Sequence, residues 1–257
     1  MFYEITTQLY PQTARLPYSL EKGIRSALRY SENHPAVRRA VDYLRQHFDT
    51  ENFSGEHLLA LWGNDIVPMI TKCLATFWWG NLSRGVATAY STENINRILA
   101  FSDNLVRDME AVRDAATFDA AMNCLRNLFH SFEPEGDYKL NQVNVSFFTK
   151  LFEFYFASHP LVSNPDFLPI ICDVWLRQGV YVEMTDRNEN GLRGMVFTNP
   201  TILRQQNRSY AEGYISFCIY FNQRVRELKE AYPDLSAFVM EGYVYSPVGR
   251  SYTQAHL

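Results

Sequence analysis

The chain has 257 residues, a formal net charge of −4, 47% hydrophobic and 15% aromatic residues, and four widely spaced cysteines (Cys73, Cys124, Cys172, Cys218). It is long enough to bury a large core. It has neither an apolar run of membrane-spanning length nor a basic-then-apolar leader, so neither a span nor a cleaved signal is expected. Cysteines without a CxxC pair argue against a zinc site or an iron–sulfur cluster and fit reduced thiols in a cytoplasm, while the negative balance runs against the basic excess usual in nucleic-acid binders.

In chain order, residues 1–33 read as an irregular segment holding Pro11 and Pro17, then a helix near Leu20–Tyr30. Pro35 opens another, with Val37, Ala40, Val41, Leu44 and Phe48 at helical spacing. Ser54 caps a helix through Leu61. After Gly63 and Asn64, Ile66–Phe77 forms a further helix, running into Trp78-Trp79-Gly80, where the glycine reads as a C-terminal cap. Two helices follow, Thr92–Arg107 and Thr117–Phe132.

The most informative stretch is Leu140–Arg177. Asn141, Gln142 and Asn144 are turn-formers, and Ser146 is a good N-cap. From Phe147 to Ala157, apolar residues wrap most of a helix. A step of about 100° per residue places Lys150 between a narrow polar strip, Thr149 and Glu153, and an apolar edge, Phe147 and Phe154. Partial desolvation there lowers an amine's pKa, and a neutral amine is a nucleophile. Pro160, Pro165 and Pro169 forbid a continuous helix. A short apolar run then ends in Asp173, where VWLRQ can start the next one. Alone, such a lysine can simply snorkel to solvent, and such an aspartate can simply cap a helix.

A lysine in the helix after a hairpin, followed by an apolar run ending in Asp, resembles the helix-hairpin-helix DNA glycosylases, and more narrowly their bacterial OGG-like (8-oxoguanine glycosylase-like) branch. The residues that carry the resemblance are Ser146-Phe147-Phe148-Thr149-Lys150 with Leu151 and Phe154, then Pro169-Ile170-Ile171-Cys172-Asp173. It implies an all-α fold, a two-lobed helical bundle over residues 1–257, with the hairpin and catalytic helix at about 140–157. It also implies excision of an oxidised guanine flipped out of DNA, with or without strand cleavage. Lys150 attacks the sugar C1′ and Asp173 sits beside it. A base pocket drawn from Trp78, Trp79, Phe154 and Trp175, and phosphate contacts from Arg84 and Asn144, follow from the same likeness. The hairpin departs from the family pattern, with Gln142 and Asn144 where glycines are usual. Cofactors and metals are not expected, since GxGxxG, P-loop, GxSxG and HExxH motifs are missing and the six histidines lack ligand spacing.

Beyond Asp173, Asp186–Gly194 reads as an exposed loop and Phe197–Pro200 as irregular. Tyr210–Ala231 is a long amphipathic helix ended by Pro233, Leu235–Tyr245 a last helix, and the tail from Ser246 loose. Two other readings fit the chain: a helical protein that grips nucleic acid or a nucleotide without cleaving it, and a helical protein–protein module.

Overall fold

The computed structural model describes residues 1–11, 17–80 and 87–257. These form thirteen α-helices and one two-stranded hairpin, so the all-α expectation holds at the level of class. The helices are α1 (Phe2–Leu9), α2 (Glu21–Tyr30), α3 (Pro35–His47), α4 (Gly55–Trp62), α5 (Met69–Trp79), α6 (Thr92–Arg113) and α7 (Phe118–Ser131). After the central turn come α8 (Val145–Ser158), α9 (Val174–Asp186), α10 (Asn190–Val196), the hairpin β1 (Phe197–Asn199) and β2 (Ile202–Leu203), then α11 (Ala211–Leu228), α12 (Ala237–Tyr245) and α13 (Pro247–His256). No described helix is long and apolar enough to cross a membrane.

Local chemistry explains most of the starts. Ser54 accepts from His57 N while His57 Nδ1 accepts from Ser54 N, a reciprocal capping box. Thr117 and Ser236 cap α7 and α12 through their hydroxyls. Pro35 occupies the first turn of α3, where its missing N–H is harmless. At α2, Glu21 is gripped twice by Arg45 (2.7 and 3.2 Å) and once by Thr50 (2.8 Å). The hydrogen bonds from Arg45, more than the opposing effect of burial, hold its carboxyl below the ordinary value of 4.5. The stability it contributes is therefore present above that value and lost as pH falls through the lower folded one. Glu21→Gln is expected to cost about 1 kcal/mol at pH 7, and urea titrations of variant and parent should converge in acid.

The N-terminal segment is a helix, not irregular. α1 packs against α12 and α13, burying Phe2 and Ile5 completely, so the two ends of the chain share one core. The tail from Ser246 is likewise ordered as α13, with Ser246 capping it at Gly249 N (3.1 Å). Within the expected loop, Asn190–Val196 is a short helix, and Phe197 pairs with Leu203 in β1–β2. α5 begins at Met69 because Pro68 holds the N-cap position.

α8 runs through the middle. Every residue from Phe148 to Phe156 is buried, including the three polar ones, Thr149, Lys150 and Glu153. Phe148 stacks on Phe132 of the preceding segment (5.0 Å, 15°), and Phe152 meets the same ring edge-on. The polar strip expected on this helix does not face water: Thr149 and Glu153 are both fully buried. Its N-cap is Asn144, whose Oδ1 accepts from Ser146 N (3.0 Å), rather than Ser146.

Candidate active site around Lys150

The segment from Phe167 to Cys172 is buried yet has no regular structure, so its backbone needs partners from elsewhere. Asn222 of α11 supplies the first, with Oδ1 accepting from Leu168 N (2.9 Å) and Nδ2 donating to Leu168 O (2.8 Å). Tyr214 OH donates to Ile170 O (3.1 Å). The last two come from α8: Cys172 N donates to Thr149 Oγ1 (2.9 Å) and Ser146 Oγ to Cys172 O (3.3 Å). Thr149 also donates to Val145 O (2.6 Å), which fixes its rotamer. The buried Thr149 is thus a backbone clamp, and the two bonds at Cys172 set the start of α9 against the first turns of α8. Lys150 and Asp173 each stand one residue from that junction.

Lys150 is only 7% exposed, much deeper than a half-desolvated edge position. Its ammonium donates to Ser146 O (2.7 Å) and lies 5.3 Å from the centre of the Phe147 ring. A methyl group on Gly80 would stand 3.0 Å from both Cδ and Cε of Lys150. Gly80 does cap α5, but at φ −70° and ψ 3°, angles open to any residue. A glycine is wanted here for clearance around the lysine stem, not for left-handed backbone. Asp173 caps α9, accepting from Leu176 N (3.0 Å), and remains partly exposed. Burial pushes the Cys172 thiol up to about 12, with Arg177 and Lys150 pulling down and Asp173 pushing up. One thiol therefore feels both candidate groups.

Of the remaining predicted residues, Trp79 and Phe154 meet and the others lie elsewhere. Trp79 is half-buried, edge-on to Phe154 (5.2 Å) and to Tyr18 (5.9 Å), on the stretch of chain that leads into Gly80 and so to Lys150. Phe154 has no exposed surface, so its ring backs Trp79. Trp78 is core: an added methyl on Gly23 of α2 would lie 2.6 Å from its ring. Trp175, two residues into α9, lies under the guanidinium of Arg250 (5.3 Å). Asn144 has its side-chain oxygen engaged in capping α8. Arg84 lies outside the described residues.

The turn before α8 is held by residues that no sequence motif marks. Asn94 of α6 is fully buried, accepts from Asn141 N (3.0 Å), and donates to Asn141 O (2.9 Å) and Ala89 O (3.1 Å). Arg97 donates to Lys139 O (3.0 Å) and Tyr138 OH to Asp108 (2.6 Å). Val143 N donates back to Leu140 O (3.3 Å), which puts Gln142 at the third position of the turn with φ 61°. Gln142 is thus left-handed, with a side chain that tolerates this backbone poorly. Gln142→Gly is expected to be neutral or to stabilise by up to about 1 kcal/mol, because relief of the left-handed backbone offsets the added unfolded-chain entropy. The β-branched Gln142→Val should cost about 1–2 kcal/mol. Urea midpoints of the two variants measure the contrast.

A second buried lysine lies on α5. Lys72, 6% exposed, donates to Trp62 O (3.0 Å) at the end of α4, and burial lowers its pKa against the pull of Asp65 and Cys73. Both lysines sit in apolar helical runs, MITKCLATF and SFFTKLFEF. The signal that finds one finds the other. Of the two, Lys150 is the one whose neighbours on the same helix, Ser146 and Thr149, hold the backbone at the start of α9. Among the described residues, no group of three or more His, Cys, Asp or Glu is placed to hold a metal ion. A cavity of about 300 Å³ opens at the far end of α8, lined by Phe156 and Ala157. Comparison with protein-family models, curated proteins and solved structures returns no match to this chain.

Proposed function

We propose that this chain is a DNA glycosylase that removes an oxidised guanine through a Schiff base at Lys150. The observation that supports this reading is the clamp at Cys172, which ties the chain just before Asp173 to Ser146 and Thr149 of α8, while the buried Lys150, next to Thr149, donates to Ser146 O. In the reaction, the target nucleotide leaves the stack, at a cost of a few kcal/mol that the pocket must recover. The neutral Lys150 amine forms a bond to C1′, and the base departs with the electron pair of the glycosidic bond. The proton released by the amine passes to solvent or to the Asp173 carboxylate, which also stabilises the positive charge growing on the sugar. The nitrogen lone pair then expels O4′, which takes a proton from Asp173 or solvent, and leaves the iminium, while the departed base takes its proton from solvent.

Borohydride trapping on an 8-oxoguanine duplex tests the reading: a covalent protein–DNA adduct should form, and should vanish in Lys150→Gln. One observation favours a second reading. The Lys150 amine is bonded to its own helix at Ser146 O and is nearly sealed, which suits a protein that binds a damaged strand or a nucleotide without chemistry. Binding that survives Lys150→Gln, with no released base and no adduct in the parent, would select it.

A further inference from the structure

We propose that the cavity at the C-terminal end of α8 is a binding site for a small amphipathic carboxylate, independent of whatever happens at Lys150. The site lies seven residues along α8 from that lysine, about 10 Å at the helical rise. Its volume of about 300 Å³ is at the lower end of small-molecule sites. The walls are apolar: Leu59 of α4, Phe156 of α8, Phe167 and Leu168 of the irregular segment, and Phe238 of α12.

These walls are preformed. Both polar atoms of the Asn222 side chain are engaged, Oδ1 by Leu168 N and Nδ2 by Leu168 O and Cys218 O, so the Phe167–Leu168 wall cannot relax inward. Phe238 is held edge-on against Phe154 (5.8 Å). An apolar body entering this space meets fixed surfaces and loses little entropy in ordering them.

The charge at the mouth selects the other half of the ligand. The charged lining residues are Arg226, Lys229 and Asp166. Lys229 is paired with Asp166 (3.1 Å), whereas Arg226, one helical turn away on α11, makes no ion pair among the described residues. Two cations against one carboxylate leave a single positive charge in excess at the rim of an apolar space. That complements a monoanion, and the planar guanidinium suits a carboxylate in particular.

The test is calorimetric titration of the full chain with 1-naphthoate and with its neutral counterpart 1-naphthamide. The carboxylate should bind about tenfold more tightly than the amide. Arg226→Gln, an exposed substitution that leaves the walls intact, should abolish that preference without weakening the amide. Ala157→Phe, which fills the cavity from α8, should remove both; thermal melting reports whether that variant folds, and Arg226→Gln decides the matter if it does not. Equal binding of the two ligands, a preference that survives Arg226→Gln, or no heat with either compound at millimolar concentration would overturn the assignment.

Discussion

Glu183→Ala is expected to lower stability by about 3–5 kcal/mol, a large share of the marginal stability of a folded chain. Glu183 of α9 is 1% exposed and joins three parts of the core. Its Oε1 accepts from Arg224 Nε of α11 (2.9 Å), and its Oε2 accepts from Phe2 N (2.7 Å) and from the Met1 ammonium (3.0 Å). Burial pulls that ammonium's pKa down, but Glu4, Glu183 and Asp186 together more than offset it, so the net direction is upward. Arg224 is 6% exposed and, among the described residues, retains Glu227 as its ion-pair partner when Glu183 is removed. A buried guanidinium missing its main partner carries its desolvation penalty uncompensated. At about 2–4 °C per kcal/mol for a chain of this size, the melting temperature should fall by roughly 6–20 °C. The double variant Glu183→Leu with Arg224→Met should recover only the part of the loss that comes from the stranded guanidinium, since Phe2 N and the Met1 ammonium still lack the Glu183 acceptor. A loss under about 1 kcal/mol in Glu183→Ala would mean that the cluster is hydrated in solution.

The second large effect concerns chemistry. Asp173 caps α9 through Leu176 N, and in the proposed reaction its carboxylate also carries the charge that acts on the sugar. Asn caps helices as well as Asp does, so Asp173→Asn should melt within about 0.5 kcal/mol of the parent. It removes the negative charge, however, and base release should slow by at least about 100-fold. A purely capping role predicts full activity in Asp173→Asn and a stability loss of about 1 kcal/mol in Asp173→Ala. Lys150→Gln should abolish trapping outright. Gly80→Ala should fall between them, because its methyl group would press on the Lys150 stem at 3.0 Å.

The parts of this fold that can be read from sequence are those governed by neighbours in the chain. Ser54, Thr117 and Asp173 declare helix starts through a side chain and an N–H three residues on, and each starts a helix as expected. α1 is not legible because FYEITTQL, rich in β-branched and aromatic residues, has little helical preference of its own; packing on α12 and α13 decides it. α13 is hidden for the same reason, its Ser246-Pro247 start being followed by Gly249 and Ser251. At the candidate site, the lysine and the aspartate stand out by their apolar surroundings and the helix start. What joins them does not: Thr149, Asn94 and Asn222 act on backbone atoms 23, 47 and 54 residues away, and no local pattern encodes such a reach. A helical wheel puts Thr149 and Glu153 in water by treating α8 as a surface helix. Its burial on all sides follows from neighbours that the wheel does not contain.

The decisive measurement is the location of the reduced adduct. After borohydride treatment with an 8-oxoguanine duplex, nuclease and protease digestion followed by mass spectrometry reports which amine carries the sugar remnant. Schiff-base chemistry at the clamped lysine predicts a single modified peptide, from the FFTKLFEF run, with the added mass on Lys150. A remnant on Lys72 or on the Met1 amine, or an unmodified Lys150 peptide beside excised base, would contradict it.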